Sequence, residues 1–451
     1  MKLKMLSTAV LLATLPTAGA FAAALDRSGQ SISAFLQPGN YFEAGISVLD
    51  PNVSGKDKAG NNTGDMAGDY YFPSAALKLQ LTDNFSFGLL YDQPFGADAE
   101  YSGKNLFVSN GTQSALGQNI TNGIDGNTKV DVDTQNLSFI FGFQPNENWN
   151  IYAGPVYQTV KGNVSLRGDI YSVFNGYDVK IKEDGDLGWL AGIAFQIPDI
   201  ALKASLTYRS EIDHEVTAIE NIGLANGLGA LRDATLASIG GVANLPSLPP
   251  AQQAQIGGLI LAANGLQTAN ATSGKTTITT PQSVNLDLQS GIMENTVAFL
   301  NIRWVDWSSF SIRPYKFGKA SEAVSGLVSV PQGYSQGFNL VDYSKDQWSA
   351  TAGVGRKFNE KWAGNVSVGW DSGAGNPVST LGPTEGYWNL GLGLQFSPAP
   401  NYFIAGGVKY FWLGDADAVT GSHSVPGVDA SAGKFTDNHA IAYGLKLGYR
   451  F

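Results

Sequence analysis

No cysteine occurs anywhere in the 451 residues, so a disulfide framework, thiolate chemistry and cysteine metal sites are all excluded. Charge is scarce as well, since Asp, Glu, Lys and Arg make up 15% of the chain, against about 25% in an ordinary soluble protein. What charge there is leans acidic, to a net −10, and that excludes the basic footprint nucleic acid demands. The histidines are His214, His423 and His439, too far apart for a metal-ligand pair on one helix. No metal or other cofactor is called for. Past the extreme N-terminus, no window approaches the ~20 apolar residues of a membrane helix. A bilayer location therefore requires a closed sheet, because only helices and barrels satisfy their backbone groups in lipid.

What the chain does have is glycine, aromatics and a period of two. It carries 55 glycines, 18 tyrosines and 9 tryptophans. Reading back from the end, Phe451, Tyr449, Leu447, Leu445, Tyr443 and Ile441 fall on one face. Arg450, Gly448, Lys446, Gly444 and Ala442 fall on the other, which is the signature of a strand with lipid outside and a lumen inside. Trp388, Leu390, Leu392, Leu394 and Phe396 alternate in the same way with Asn389, Gly391, Gly393 and Gln395. A closing strand that ends in an aromatic resembles the assembly signal of bacterial outer-membrane barrels, carried here by Phe451, Tyr449 and Leu447.

Punctuation gives the strand number. Tight turns stand at residues 82–84, 146–148, 198–200, 293–295, 359–361 and 398–401, most followed within two residues by an aromatic: Phe85, Trp149, Trp362 and Tyr402. Long loops rich in Gly, Asn, Ser and Asp separate the hairpins. The pattern predicts an all-β, transmembrane antiparallel β-barrel of about 14 strands with a short N-terminal plug. Strands are expected near 40–49, 70–81, 85–94, 129–144, 149–162, 185–197, 201–218, 277–290, 296–308, 346–358, 361–371, 386–397, 401–412 and 438–451.

The rest of the chain arranges itself around that barrel. Residues 1–23 read as an export signal, with Lys2 and Lys4 before an apolar stretch and Ala20-Phe-Ala22 as the cleavage pattern. Residues 24–39 are too short for a domain and form the plug, and 40–451 form the barrel with its loops. The long insertion 220–276 contains two helical patterns, 230–239 and 252–266, separated by Pro246, Pro249 and Pro250. Its apolar surface either collects hydrophobic solute or only caps the barrel mouth. Lumen positions are mostly Gly, Ala, Ser and Asn, with charge thinly spread as Arg209, Lys203, Lys409 and Lys446; the small residues suit a plug or an apolar ligand, or simply pack. Asp213 and His214 beside Ser210 suggest a hydrolase, but neighbours on a strand point to opposite faces and no nucleophile motif accompanies them.

With these residues in view, the chain resembles the outer-membrane long-chain fatty-acid and hydrocarbon transporters of the FadL type. The resemblance is carried by Ala204-Ser-Leu-Thr-Tyr-Arg-Ser-Glu211, by Trp304-Val-Asp-Trp-Ser-Ser-Phe310, by Val368-Gly-Trp-Asp-Ser372 and by the closing strand. It implies a monomer, not an enzyme, that takes up hydrophobic small molecules passively across the outer membrane of a Gram-negative bacterium. Outer-membrane lipid and lipopolysaccharide would surround it, and the barrel assembly machinery would insert it. A general diffusion porin for small polar solutes is the alternative. The family's hatch is longer and holds an Asn-Pro-Ala segment, whereas here 25–36 replace it. The resemblance further implies a lateral opening at Gln93, Pro94, Phe95 and Gly96, where a proline removes a ladder donor and a glycine permits a bend; the alternative is that Pro94 marks only the rim, where the strand ends and a loop begins. By position in matching loops it implies Lys161, Arg167 or Lys316 as the cation for a carboxylate head, with Phe35 and Leu36 of the plug against the substrate.

Overall fold

A computed structural model of the protein describes residues 25–115, 118–325, 337–421 and 431–451; the export signal, 1–23, lies outside the described residues. One antiparallel sheet closes on itself. Its wall strands are β1 (Tyr41–Asn52), β2 (Tyr70–Gln80), β3 (Phe85–Asp92), β4 (Lys129–Phe143), β5 (Trp149–Leu166), β6 (Tyr177–Ile197) and β7 (Leu202–Arg209). They continue as β8 (Ser283–Met293), β9 (Thr296–Val305), β10 (Gln347–Lys357), β11 (Trp362–Asp371), β12 (Tyr387–Ala399), β13 (Tyr402–Leu413) and β14 (His439–Arg450). Every strand pairs with its chain neighbours, and β14 closes the ring on β1 from Tyr41↔Arg450 to Asn52↔His439. The expected fourteen strands are present.

Alternation sets which face meets lipid. On β12, Trp388, Leu390, Leu392 and Leu394 are exposed while Asn389 and Gln395 are buried, the inverse of a soluble protein, because lipid is the solvent. Aromatics mark both edges of that apolar band. On the turn side, Phe85 packs against Phe143, Trp149 against Phe195 and Trp362 against Phe396 as tilted ring pairs, with centroids 4.6–5.2 Å apart. Toward the loops, Trp304 faces Trp348, and Trp370, Trp388 and Trp412 lie side by side on three successive strands. Trp362 and Trp370 are eight residues apart, roughly 26 Å along a strand, which a tilt of about 40° reduces to roughly 20 Å of height.

Three expected boundaries shift by six residues or more. The sixth strand starts at Tyr177 rather than 185, carrying a bulge between Ile181 and Asp184, so it rises well above the membrane band. The seventh ends at Arg209 instead of 218, and the eighth starts at Ser283 instead of 277. The residues between leave the wall: Ile212–Val216 pair with Thr276–Thr280 as a separate ribbon. That ribbon is the base of the insertion, whose helix α1 (Leu224–Ser238) begins earlier than the expected 230 and stops just short of 239, and whose helix α2 (Pro250–Ala271) extends the expected 252–266 at both ends. A third helix, α3 (Tyr315–Ser325), packs against α2. Across the loop end, Gly55–Asp57, Ser431–Phe435, Ala416–Val419 and Val378–Ser379 form a small sheet.

The barrel is filled by its own N-terminal residues. Ile32, Ala34, Phe35 and Leu36 are buried among inward-facing wall residues such as Ala76, Leu90, Ile140, Tyr152 and Leu190. Phe35 sits edge-on to Tyr152 with centroids 5.5 Å apart, over Gly142, where a Cβ would come within 2.7 Å of the ring. The lumen glycine there is thus a packing device. Lysines from the wall bind plug carbonyls, Lys78 Nζ to Gln37 O at 2.9 Å and Lys203 Nζ to Leu36 O at 2.8 Å. A larger apolar core, including Phe95, Trp307, Phe310 and Tyr343, occupies the loop half.

Candidate functional site

The wall is not continuous. The ladder between β2 and β3 stops at Ala75↔Tyr91, so the stretch of β2 from Tyr70 to Ser74 has no ladder partner there among the described residues. On the other side β3 holds β4 as far as Asp92↔Asn136, then resumes at Gly96↔Asp133. Four residues advance on one strand against three on the other, which is a bulge, and residues 93–95 bend inward with Pro94, Phe95 and Gly96 buried. Gln93-Pro-Phe-Gly96 therefore lies within the wall and not at its rim. Facing it, Pro73 occupies the unpaired part of β2, as a proline does on a strand edge. Sequence reasoning missed Pro73, although a proline inside an alternating strand is a readable signal.

A strap formed by residues 25–28 lines the inner side of this break. Arg27 N–H donates to Pro94 O at 2.7 Å and Gly96 N–H to Leu25 O at 2.9 Å, so the strap pairs with the bent backbone. The Arg27 guanidinium lies 3.6 Å from the centroid of the Tyr70 ring, a cation–π contact across the gap. A side chain at Gly96 would collide with Arg27, and its Cβ would come within 2.7 Å of Val132 O. Asp26 anchors the strap to the far wall: Arg303 Nε donates to Asp26 Oδ2 at 2.6 Å, its Nη1 to Asn285 Oδ1 at 2.6 Å and its Nη2 to Gln30 Oε1 at 3.0 Å. Both members of the pair are buried.

Strap and plug divide the interior. On the loop side of the strap lie two adjoining apolar cavities of about 70 and 20 Å³, which share Leu25, Val132, Gly162, Ile181 and Ile312. Between strap and plug lies a cavity of about 160 Å³, lined by apolar Phe72, Ala76 and Leu90 and by charged Asp92, Arg209 and Asp287. It also touches Pro73 and Tyr91, whose positions belong to the outer face, so it reaches the break in the wall. A vestibule of about 410 Å³ beyond Leu36 and Gln37 opens on the turn side. The expectation of thinly spread lumen charge is corrected here: Asp26, Asp92, Asp287 and Arg303 join Arg209, Lys203, Lys409 and Lys446. Apart from Asp26, which belongs to the strap, they stand at inward positions of strands whose outward residues are apolar; the N-terminal segment supplies partners for Asp92, Lys203 and Arg303, while Lys446 pairs with Glu43 and Asp287 with Asn301 on the wall itself.

The other singled-out residues are scattered. Lys161 stands on the outer face of β5, half exposed, 3.4 Å from Asp133. Arg167 is spent on Asp178, through bonds of 2.8 and 3.1 Å from Nη2, and on two backbone carbonyls. Lys316, at the start of α3, donates Nζ to Asn270 O at 2.7 Å. Phe35 and Leu36 belong to the plug, on the turn side of the middle cavity. Phe451, Tyr449 and Leu447 face outward, and the two rings stack at 5.7 Å. His214 is buried with Nε2 3.1 Å from Gln158 Oε1, and that burial lowers its pKa. Asp213 accepts from Thr279 Oγ1 at 2.6 Å and Ser210 Oγ accepts from Trp189 N–H, so the three do not converge on a hydrolase geometry.

Residues 22–451 match a family model described as outer membrane protein transport protein (OMPP1/FadL/TodX). No curated protein matches the chain in sequence. Among solved structures, a Pseudomonas aeruginosa FadL homologue is similar with a TM-score of 0.64 and 16% identity, over 96% of this chain and 98% of that one. The toluene transporter TodX of P. putida gives 0.55 and 12%, over 93% and 91%. The toluene transporter TbuX of Ralstonia pickettii gives 0.53 and 11%, over 92% and 90%. At these identities the likeness is one of fold.

Proposed function

The chain belongs to the OMPP1/FadL/TodX family of outer membrane transport proteins, and from that premise we propose that it admits hydrophobic small molecules passively and releases them sideways through the break between β2 and β3. The observation that carries this reading is the missing ladder beyond Ala75↔Tyr91, opposite the inward bend at residues 93–95. Long-chain fatty acids and aromatic hydrocarbons are the candidate cargo. An apolar molecule gains about 0.8 kcal/mol per methylene on leaving water. A path to the periplasm through the charged cavity and the vestibule would forfeit that gain, whereas an exit into the bilayer keeps it. Residues 26–37, by filling the lumen, act as the plug, which weighs against a general porin for polar solutes. The family and its structural relatives are transporters, and no catalytic role is assigned.

The test is uptake. A strain lacking the protein should lose uptake of a labelled long-chain fatty acid or an aromatic hydrocarbon. The double variant Pro94→Val, Gly96→Leu, shown by heat-modifiable migration to fold, should bind cargo at the cell surface but transport it at least tenfold more slowly. Wild-type uptake in that folded variant would eliminate the side exit. Stable single-channel conductance together with loss of polar-solute uptake would instead support the porin.

A further inference from the structure

Strands β5 and β6 run past the lipid band on the loop side, and their outer face changes character as they do. Tyr157, Leu187 and Trp189 are exposed there, with Leu187 beside Tyr157 in the ladder, and form the upper apolar row. Lys161 stands four residues beyond Tyr157, about 13 Å along the strand and, at a tilt of about 40°, roughly 10 Å higher. On β6, Ile181 faces an inner cavity and Asp184 lies 4.0 Å from the buried His214, so the bulge between them turns Lys182 and Glu183 outward, opposite Lys161. Lys180 pairs with Asn163 one row further on. All three lysines are exposed. Lysines facing each other across a strand pair repel. Lys161 is 3.4 Å from Asp133, whereas neither Lys180 nor Lys182 has a side-chain partner among the described residues. Other cations nearby are neutralised, Lys129 by Glu100 and Arg167 by Asp178. Asp131 lies two strands from Lys180, about 10 Å away, where salt screens it. Three lysines against Asp133 and Glu183 leave one positive charge over.

We propose that this outer face of β5 and β6 binds a phosphorylated glycolipid of the outer leaflet, the lipid A portion of lipopolysaccharide, with its phosphate at Lys161, Lys180 and Lys182 and its acyl chains along Tyr157, Leu187 and Trp189. The long loops put this end of the barrel outside the cell, so the lipid beside it belongs to the outer leaflet. A phosphate placed between Lys161 and Lys182 turns their repulsion into two charge-assisted hydrogen bonds. One surplus charge on an exposed face is too little to hold a free phosphate against salt. The apolar row beneath must contribute, and that requires an amphipath. Lys180 stands two positions beyond Lys182, about 7 Å along the strand, so the cationic edge is longer than a single phosphate and suits a sugar headgroup. The site depends on the outer-membrane location and on the wall alone, not on the cargo or its exit.

Native mass spectrometry of the full-length barrel in a neutral detergent tests this, with phosphorylated lipid A, the same lipid dephosphorylated, and phosphatidylglycerol as probes. Wild type should retain phosphorylated lipid A about tenfold or more tightly than either of the others. The double variant Lys180→Gln, Lys182→Gln, shown by heat-modifiable migration to fold, should lose roughly ten- to thirtyfold of that affinity, the weight of two lysines at an anionic lipid surface. Its retention of the dephosphorylated lipid should be unchanged. Equal affinity for phosphorylated and dephosphorylated lipid A in wild type, which requires no variant, would overturn the proposal. So would unaltered lipid A binding in the folded double variant, or phosphatidylglycerol held as tightly as lipid A.

Discussion

Removing Arg303 should release the strap. Its guanidinium is the hub that joins Asp26 and Gln30 of the N-terminal segment to Ser283 and Asn285 of β8, with bonds to all four. Replacing Arg303 by methionine keeps most of the volume but leaves the buried Asp26 carboxylate without its counter-charge. Breaking one partner of a buried pair costs about 3–5 kcal/mol, and here that cost falls on the docking of residues 25–30. Because the chain contains no cysteine, a single reporter can be introduced at Ala34, which is 4% exposed and makes no side-chain hydrogen bond. Labelling of Ala34→Cys by a membrane-impermeant maleimide reports opening of the plug. At roughly 1.4 kcal/mol per factor of ten, the penalty converts to about 150- to 5,000-fold faster labelling in Arg303→Met. Neutralising both partners, Asp26→Asn with Arg303→Met, should recover much of the protection, since removing a buried pair together is far cheaper than orphaning one member. Labelling of Arg303→Met within threefold of the parent, or a double variant more labile than the single, would refute the assignment of this pair as the strap's anchor.

Two further outcomes can be measured. Deleting Phe451, which stacks on Tyr449 at the outer edge of the closing strand, should lower the yield of heat-modifiable barrel in the outer membrane severalfold, and an undiminished yield would refute its role in assembly. Glu385, in the loop between β11 and β12, has its pKa pushed up to about 7 by burial, although the Gly375 N–H donates to it at 3.1 Å and Lys345 lies near. The folded loop therefore holds a proton that the unfolded chain releases near 4.5. Stability should fall as pH rises through that window and level off above it. Hydrogen exchange of the loop, corrected for intrinsic rate, should follow this trend in wild type and lose most of it in Glu385→Gln; the nearby Asp371 carboxyl remains as the background.

The barrel was legible because lipid imposes a rule that one dimension can carry. Every wall strand must alternate, and every tight turn must be short and polar, so Trp388 to Phe396 and the turn at 146–148 could be read without neighbours. Where the chain left the membrane, that rule lapsed. Alternation in residues 212–216 continued although the segment had left the wall for a ribbon with 276–280, and no local pattern separates the two. Composition likewise indicated the helical hairpin but not what it packs on.

The interior followed a different logic. Gln93-Pro-Phe-Gly96 could be singled out by its backbone chemistry, yet whether it ends a strand or bends one depended on β4 continuing alongside it, from Asn136 to Asp133. The meeting of Pro73 with that bend, of Arg27 with Tyr70, and of Asp26 with Arg303 across 277 residues of chain exists only once the ring closes. Arg209 illustrates the division. Its inward position on β7 was fixed by alternation, whereas the lack of a partner for its Nε and Nη1 among the described residues is a property of everything packed around it. Sequence determined which side of the wall each residue takes, because that is a local choice between lipid and lumen. Tertiary structure decided which inward residues meet, because a closed barrel brings together strands of any separation.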